Sequence, residues 1–337
     1  MSTNISTNNL QVLLAERPVG WPEARHFKIR QAPMPTPGEG EVLVRNLWLS
    51  LDPYMRGRMS DAKSYAEPVA LGAVMIGGTA GEVVESRHPD LRAGDKVVGM
   101  LGWQRYGCAP ARALMKVDDA RVPLQAYLGA LGMPGVTAWY GLLRLCEPQA
   151  GETVVVTAAS GAVGAVVGQL AKARGCRVVG VAGGAAKCAY VVDELGFDAC
   201  VDYKAGRLGE DLRAALPDGV DCLFENVGGE IFDRLLGMMR PFGRIALCGM
   251  ISDYNATEPH PMRNLRAVLI QRLKLQGFIV SEHMELWPQA LRELAELVAA
   301  GKLRWRETVA EGLERAPEAF IGLLRGENFG KQLVRVG

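Results

Sequence analysis

The rhythm of hydrophobic and polar positions changes near the middle of the chain. Between residues 11 and 130 the apolar residues fall in short runs, at 11–14, 41–49, 81–86 and 96–99, broken by turns such as Thr36-Pro37-Gly38-Glu39-Gly40. Short runs with frequent turns predict the strands of a compact barrel-like domain, with no periodic helix among them. Residues 128–145 read as a linker and a helix. There Met133-Pro134-Gly135 marks a break, and Thr137-Ala138-Trp139-Tyr140 starts a helical pattern. From about 153 to 281 strand-like and helix-like segments alternate. Strands are predicted at 153–157, 177–181, 199–201, 221–224, 244–247 and 274–280, with helices through 174 and over 185–195, 208–216, 231–239 and 263–272. Six strands with helices between them fit an α/β fold with a doubly wound parallel sheet. A later helix over 286–300 ends at Gly301, and β-like pieces at 304–310 and 332–336 are placed to rejoin the first domain.

The stretch 154–171, VVVTAASGAVGAVVGQLA, carries the sharpest signal. Three β-branched residues suit a strand buried on both faces, a small-residue turn follows, and an apolar helix comes next. In that order, glycines let backbone N–H groups approach a dinucleotide's pyrophosphate, and the helix start adds partial positive charge. Ala159 stands where the first glycine of G-x-G-x-x-G would be. A tightly packed strand–helix junction without a ligand is therefore the competing reading at this point.

A chain of 337 residues, 49% of them hydrophobic, is long enough for two cored domains. The net charge of +1, with both signs interspersed, points to no nucleic-acid and no membrane-surface partner. Two long uncharged runs, 122–143 and 153–171, are interrupted by glycines, and the first also by Pro123 and Pro134, so neither reads as a membrane helix. The opening MSTNISTNNLQ lacks a basic-then-apolar signal pattern, and a cytoplasmic protein is expected. Seven cysteines with no C-x-x-C pair and four unclustered histidines leave no metal-ligand spacing, and reduced thiols are expected.

Ligands of an open parallel sheet bind beyond the carboxyl ends of its strands. The residues just past the predicted strands are the Ser160–Gly164 turn, then Gly183-Gly184 with Lys187, then Tyr203-Lys204, then Asn226 with Gly228-Gly229, then the 248–254 segment CGMISDY. Each alone could be a turn residue, but together they mark one edge. An NAD site usually puts Asp or Glu after the second strand; here that place is glycine and the nearby charge is Lys187. A 2′-phosphate attracts an ammonium group, so NADPH is favoured over NADH. In the first domain, LDPYMRGRM over 51–59 is too polar and proline-broken for a strand. Its tyrosine and arginines either face an active site or anchor the loop to its own domain.

LDPYMRGRM (51–59), AASGAVG (158–164), FENVGG (224–229), CGMISDYN (248–255) and GENFGK (326–331) resemble the zinc-free medium-chain dehydrogenase/reductases. The nearest branch is that of the NADPH-dependent curcumin reductases, prostaglandin reductases and alkenal double-bond reductases. The resemblance runs along essentially the whole chain. It implies a Rossmann domain over 131–305, inserted in a GroES-like β-rich catalytic domain formed by 1–130 and 306–337, and a homodimer. Carried over position by position, the pyrophosphate loop falls on Gly161, Ala162, Val163 and Gly164, and the 2′-phosphate ligands on Lys187 and Tyr203. Further cofactor contacts fall on Met133, Thr137, Asn226, Cys248, Met250, Ser252, Tyr254, Phe278, Ile279, Val280 and Asn328. Tyr54 and Tyr254 match aromatics of the substrate cleft. No metal is expected, because the Gly-His-Glu block of zinc-dependent relatives is replaced near Ile76-Gly77-Gly78-Thr79 and the four-cysteine lobe is missing. Prostaglandin reductases have a tyrosine where this chain has Ser281, which argues for a differently shaped pocket.

The implied reaction is reduction of the carbon–carbon double bond of an α,β-unsaturated ketone or aldehyde. NADPH gives hydride to the β-carbon, and the resulting enolate is protonated. Tyr254 is the first candidate to stabilise the oxyanion and Tyr54 the second. A quinone reductase on the same scaffold and a non-enzymatic NADPH-binding protein are the alternatives.

Overall fold

The computed structural model describes residues 8–258 and 260–337. It divides into two compact units, one made from residues up to Leu128 with Glu307–Asn328 and Gln332–Gly337, the other from Gly129–Arg306 and Phe329–Lys331.

The chain opens with β1 (Asn8–Leu14) and β2 (Phe27–Pro33), an antiparallel pair. The long β3 (Glu41–Ser50) is followed by a single helical turn, α1 (Met55–Arg58), then β4 (Thr79–Ser86), β5 (Lys96–Gly99), β6 (Tyr106–Pro110) and β7 (Met115–Val117). Helix α1 corrects the reading of 51–59 as loop throughout: one turn forms there, and it buries Met55 and Arg56.

In the second unit α2 runs Met133–Tyr140 and continues as a π-helical turn over Gly141–Cys146. The expected break at Met133-Pro134-Gly135 is instead the first turn of α2. Proline is tolerated there because its missing N–H would have had no acceptor. The alternating part follows as β8 (Thr153–Thr157), α3 (Gly164–Ala173), β9 (Arg177–Ala182), α4 (Ala185–Asp193), β10 (Ala199–Asp202) and α5 (Leu208–Ala215). It continues with β11 (Val220–Glu225), α6 (Gly229–Leu236), β12 (Met239–Leu247), α7 (Arg266–Ile270), β13 (Lys274–Gly277) and α8 (Trp287–Ala299). The strands pair in parallel in the order β10-β9-β8-β11-β12-β13, the doubly wound sheet expected from the sequence.

The sixth strand is shorter than the predicted 274–280. Pairing with β12 ends at Leu247 opposite Gly277. Phe278 then turns inward to pack on Tyr140 and Phe224, and Val280 enters a 3-10 turn.

Beyond the second unit come β14 (Glu307–Glu311), α9 (Ala316–Leu324) and β15 (Lys331–Arg335). They complete a sheet of order β14-β15-β3-β4-β5-β7, with β6 on β3. The nine-residue α9 was absent from the β-only expectation for 305–337. It buries Phe320, Leu323 and Leu324, and Phe320 meets Phe27 and Trp103 edge-on. No helix among the described residues is long and apolar enough to cross a membrane.

The sheet of the second unit holds its shape by burial on both faces. Val155, Val179, Val181, Leu223 and Ile245 from the strands pack on Leu212, Leu235 and Leu236 from α5 and α6. Each such side chain contributes roughly 1.5–3 kcal/mol. On α3, Gly168 faces Phe197: a Cβ at that glycine would stand 1.7 Å from the ring. The substitution Gly168→Ala should therefore destabilise the protein by about 1–3 kcal/mol in urea denaturation. Adding Phe197→Leu should recover part of the loss, whereas an unchanged midpoint for Gly168→Ala would contradict the close packing of α3.

Candidate cofactor site

The carboxyl edge of the parallel sheet begins at the turn after β8. Ala158 takes a left-handed conformation, with φ 51°, and turns the chain sharply out of the strand. Ala159 is fully buried and faces Gly180 on β9, where an added Cβ would lie 2.8 Å from the Ala159 methyl. An alanine is accommodated in the first glycine position because the glycine has moved to the neighbouring strand. Gly164 has no such latitude, since a Cβ there would stand 2.4 Å from the Ala158 carbonyl oxygen. Gly161, Ala162 and Val163 are half-buried between these fixed points. At the start of α3 the Ala165 N–H donates to the Gly161 carbonyl and the Val166 and Val167 N–H groups to the Val163 carbonyl, and the helix start carries partial positive charge. These residues fit a pyrophosphate.

Past β9 lie Gly183 and Gly184, and past β10 lie Tyr203 and Lys204. Gly183 lies against the Tyr203 ring, which a Cβ would meet at 2.8 Å. Asp202 accepts hydrogen bonds from the N–H groups of Gly184 (2.7 Å) and Lys204 (2.9 Å), tying the ends of β9 and β10 together. The Lys187 ammonium is held below its ordinary pKa by burial and by the repulsion of Lys204. The Tyr203 ring thus lies over Gly183 where the second strand ends, with Lys204 beside that ring and acting on Lys187. Lys204, noted beside Tyr203 past the third strand, was given no cofactor role in the sequence reading although its charge was visible.

Past β11 the side-chain amide of Asn226 donates to the Thr157 carbonyl (2.8 Å), and its backbone N–H donates to the Thr157 hydroxyl (2.8 Å). Beneath it sits a residue that the sequence reading left unassigned. Glu225 is fully buried, and its Oε1 accepts from the Thr157 hydroxyl (3.0 Å), the Val227 N–H (2.5 Å) and the Gly228 N–H (2.8 Å). Burial pushes its carboxyl up to about 7, against the opposing pull of those hydrogen bonds. The signal available was a carboxylate closing an otherwise apolar strand and followed by a glycine turn.

Past β12 the backbone N–H groups of Cys248 and Gly249 donate to the Glu225 carbonyl, and those of Ile251 and Ser252 donate to Asn226 and Val227. Burial, and next the Glu225 carboxyl, push the Cys248 thiol up to about 12, which keeps it protonated near neutral pH. Met250 and Tyr254 are half-buried, and Ser252 is exposed. The Tyr254 hydroxyl folds back to the Met250 N–H at 3.5 Å, over Gly249. The structure thus brings Asn226, Cys248, Met250, Ser252 and Tyr254 together at one end of the sheet.

Elsewhere in this unit, Thr137 donates to the Met133 carbonyl one turn back in α2 (2.7 Å). The Phe278 ring packs on Tyr140 and Phe224, Ile279 is half-buried, and Val280 is buried with its carbonyl accepting from the Trp287 indole.

Tyr54 and Asn328 belong to the other unit. The half-buried Tyr54 has its hydroxyl pKa raised by burial and by Asp52, and the Arg58 guanidinium lies 5.8 Å from its ring centre. Arg56 is an anchor of its own unit, donating to the carbonyls of Pro18 (3.2 Å) and Gly20 (2.8 Å). Asn328 lines a cavity of about 260 Å³ with Thr308, Arg315, Glu327 and Gln332.

Among the described residues no three His, Cys, Asp or Glu side chains group to hold an ion. At Gly77 a side chain would meet Leu49, Met55 and Trp103 at 2.9–3.1 Å.

Two family models match, an N-terminal domain of oxidoreductase over residues 10–117 and a zinc-binding dehydrogenase domain over residues 162–296. The chain is 49% identical over 334 residues to the NADPH-dependent curcumin reductase of Escherichia coli (strain K12), covering 97% of each. It is 44% identical over 338 residues to the NADP(+)-dependent 2-alkenal reductase of Nicotiana tabacum, covering 98% of each. The solved structure of CurA from Vibrio vulnificus in complex with NADPH matches with a TM-score of 0.94 and 45% identity, over 97% of this chain and 99% of that one. With a match this long and this close, the chain belongs to the medium-chain dehydrogenase/reductases, in the branch of the curcumin and 2-alkenal reductases.

Proposed function

We propose that this protein is an NADPH-dependent reductase of α,β-unsaturated ketones and aldehydes. The observation that carries the reading is the whole-chain likeness to a curcumin reductase and a 2-alkenal reductase, because the fold alone serves many hydride transfers. Bound at the carboxyl edge of the sheet, NADPH supplies hydride to the β-carbon of the substrate.

The chain's own residues do the rest. Gly161, Ala162, Val163 and Gly164 with the start of α3 hold the pyrophosphate. Lys187 and Tyr203, helped by Lys204, take the 2′-phosphate, whose charge would offset the burial and the Lys204 repulsion that now depress Lys187. Asn226 and the segment from Cys248 to Tyr254, with Met250 and Ser252, border the ribose and nicotinamide. Met133, Thr137, Phe278, Ile279, Val280 and Asn328 complete the cofactor contacts. The Tyr254 hydroxyl donates to the carbonyl oxygen as negative charge grows there, with Tyr54 as the second donor, and a proton then reaches the α-carbon from tyrosine or water. No metal takes part in this scheme.

A homodimer and a cytoplasmic location belong to the same proposal. The outer edge strand β13 is exposed along its whole length, and Leu269 and Ile270 beside it are 78% and 48% exposed. Such an edge invites pairing with a second copy. All seven cysteines are unpaired, which suits a reducing compartment.

Loss of reduced-nicotinamide absorbance on adding alkenals or enones tests the activity. Consumption with quinones alone would favour a quinone reductase, and tight NADPH binding without consumption a binding protein. In that assay Tyr254→Phe should lower turnover by about 10²–10³-fold with NADPH affinity nearly intact; unchanged turnover would remove Tyr254 as donor. Lys187→Ala should weaken NADPH binding by about 10–100-fold and leave NADH binding alone. Equal losses for both cofactors would sink the 2′-phosphate assignment. Light scattering should give twice the 36.4 kDa chain mass, and a monomer at all concentrations would overturn the dimer.

A further inference from the structure

Glu225 sits under the proposed cofactor site without touching any group that reacts. Its Oε1 gathers donors from two segments, the Thr157 hydroxyl at the end of β8 and the Val227 and Gly228 amides of its own turn. Its backbone carbonyl gathers the Cys248 and Gly249 amides past β12. One residue therefore ties three strand ends and the turn that presents Asn226. Its Oε2 is buried and has no hydrogen-bond partner among the described residues.

An uncompensated anion at Oε2 costs far more than a neutral hydroxyl there. The facing titratable group is the Cys248 thiol, itself held neutral, so it offers no positive charge in return. The other groups against the carboxyl are the Thr157 hydroxyl and the turn amides.

Resting on the NADPH reading above, we propose that Glu225 is a positioning residue for the cofactor: as a neutral acid it holds the ends of β8, β11 and β12 in register, and on ionising it places an uncompensated charge at Oε2 that shifts the turn bearing Asn226 and weakens NADPH binding. The carboxyl's elevation to about 7 puts this transition within the neutral range. The sign for the unliganded protein follows from linkage. The folded state holds the proton more tightly than the unfolded one, so stability falls as pH rises from the ordinary 4.5 to about 7 and is flat above.

The test is NADPH affinity, read by fluorescence without substrate, for wild type and Glu225→Gln between about pH 6 and pH 8.5. Glutamine keeps the neutral form at every pH. Wild-type affinity should fall about tenfold across the range, a typical coupling, while Glu225→Gln should hold its affinity. The cofactor's own 2′-phosphate, titrating near pH 6, affects both proteins alike. Parallel profiles would overturn the positioning role, and no NADPH binding by either protein would overturn the functional reading on which it rests. Should Glu225→Gln not fold, Thr157→Val removes a hydrogen bond that favours the charged form. It should move the transition to higher pH, and an unmoved transition would equally overturn the proposal.

Discussion

The close approach of Gly164 to the Ala158 carbonyl oxygen governs the second unit. A backbone that tight sets the start of α3 directly over the end of β8, and any side chain at Gly164 would push the helix away. Once α3 is fixed there, its partial positive charge faces the carboxyl edge, where the turns after the neighbouring strands also arrive. The small-residue choices around it follow from the same constraint. Ala159 fits because Gly180 gives it room, and Gly168 fits because Phe197 lies on the helix.

Around that fixed point, charge decides what the edge is suited to hold. The second strand ends in glycines and not in a carboxylate, and burial together with the nearby Lys204 depresses Lys187. Asp202, the nearby carboxylate, is spent on the amides of Gly184 and Lys204. Further along the edge the polar groups are tied by Glu225 and Thr157, so the turn bearing Asn226 and the segment bearing Tyr254 share one set of hydrogen bonds. Positioning of this kind is most of what a hydride transfer asks of its protein.

Much of this was legible in the sequence, because six buried strands alternating with helices leave a rhythm that short-range pattern reads well. What it misread were places where tertiary contacts decide. Met133-Pro134-Gly135 looked like a break, yet proline in a first turn opens a helix. Apolar residues 278–280 looked like a continuing strand, but Phe278 found Tyr140 and Phe224. Helix α9 was hidden in a segment read only for its strands. The even choice for the 51–59 arginines falls to anchoring for Arg56, which reaches Pro18 and Gly20. Glu225 lies within FENVGG but carried no role in the sequence reading, since only burial distinguishes it from an ordinary turn carboxylate.

The central claim is that hydride is delivered to the β-carbon of an enone, and isotope placement tests it most directly. The protein would be given NADPH deuterated at the transferring position of nicotinamide C4 and an α,β-unsaturated ketone, and the product read by NMR. The account predicts a saturated ketone with one deuterium at the β-carbon and none at the α-carbon. An allylic alcohol with deuterium on the former carbonyl carbon would contradict it.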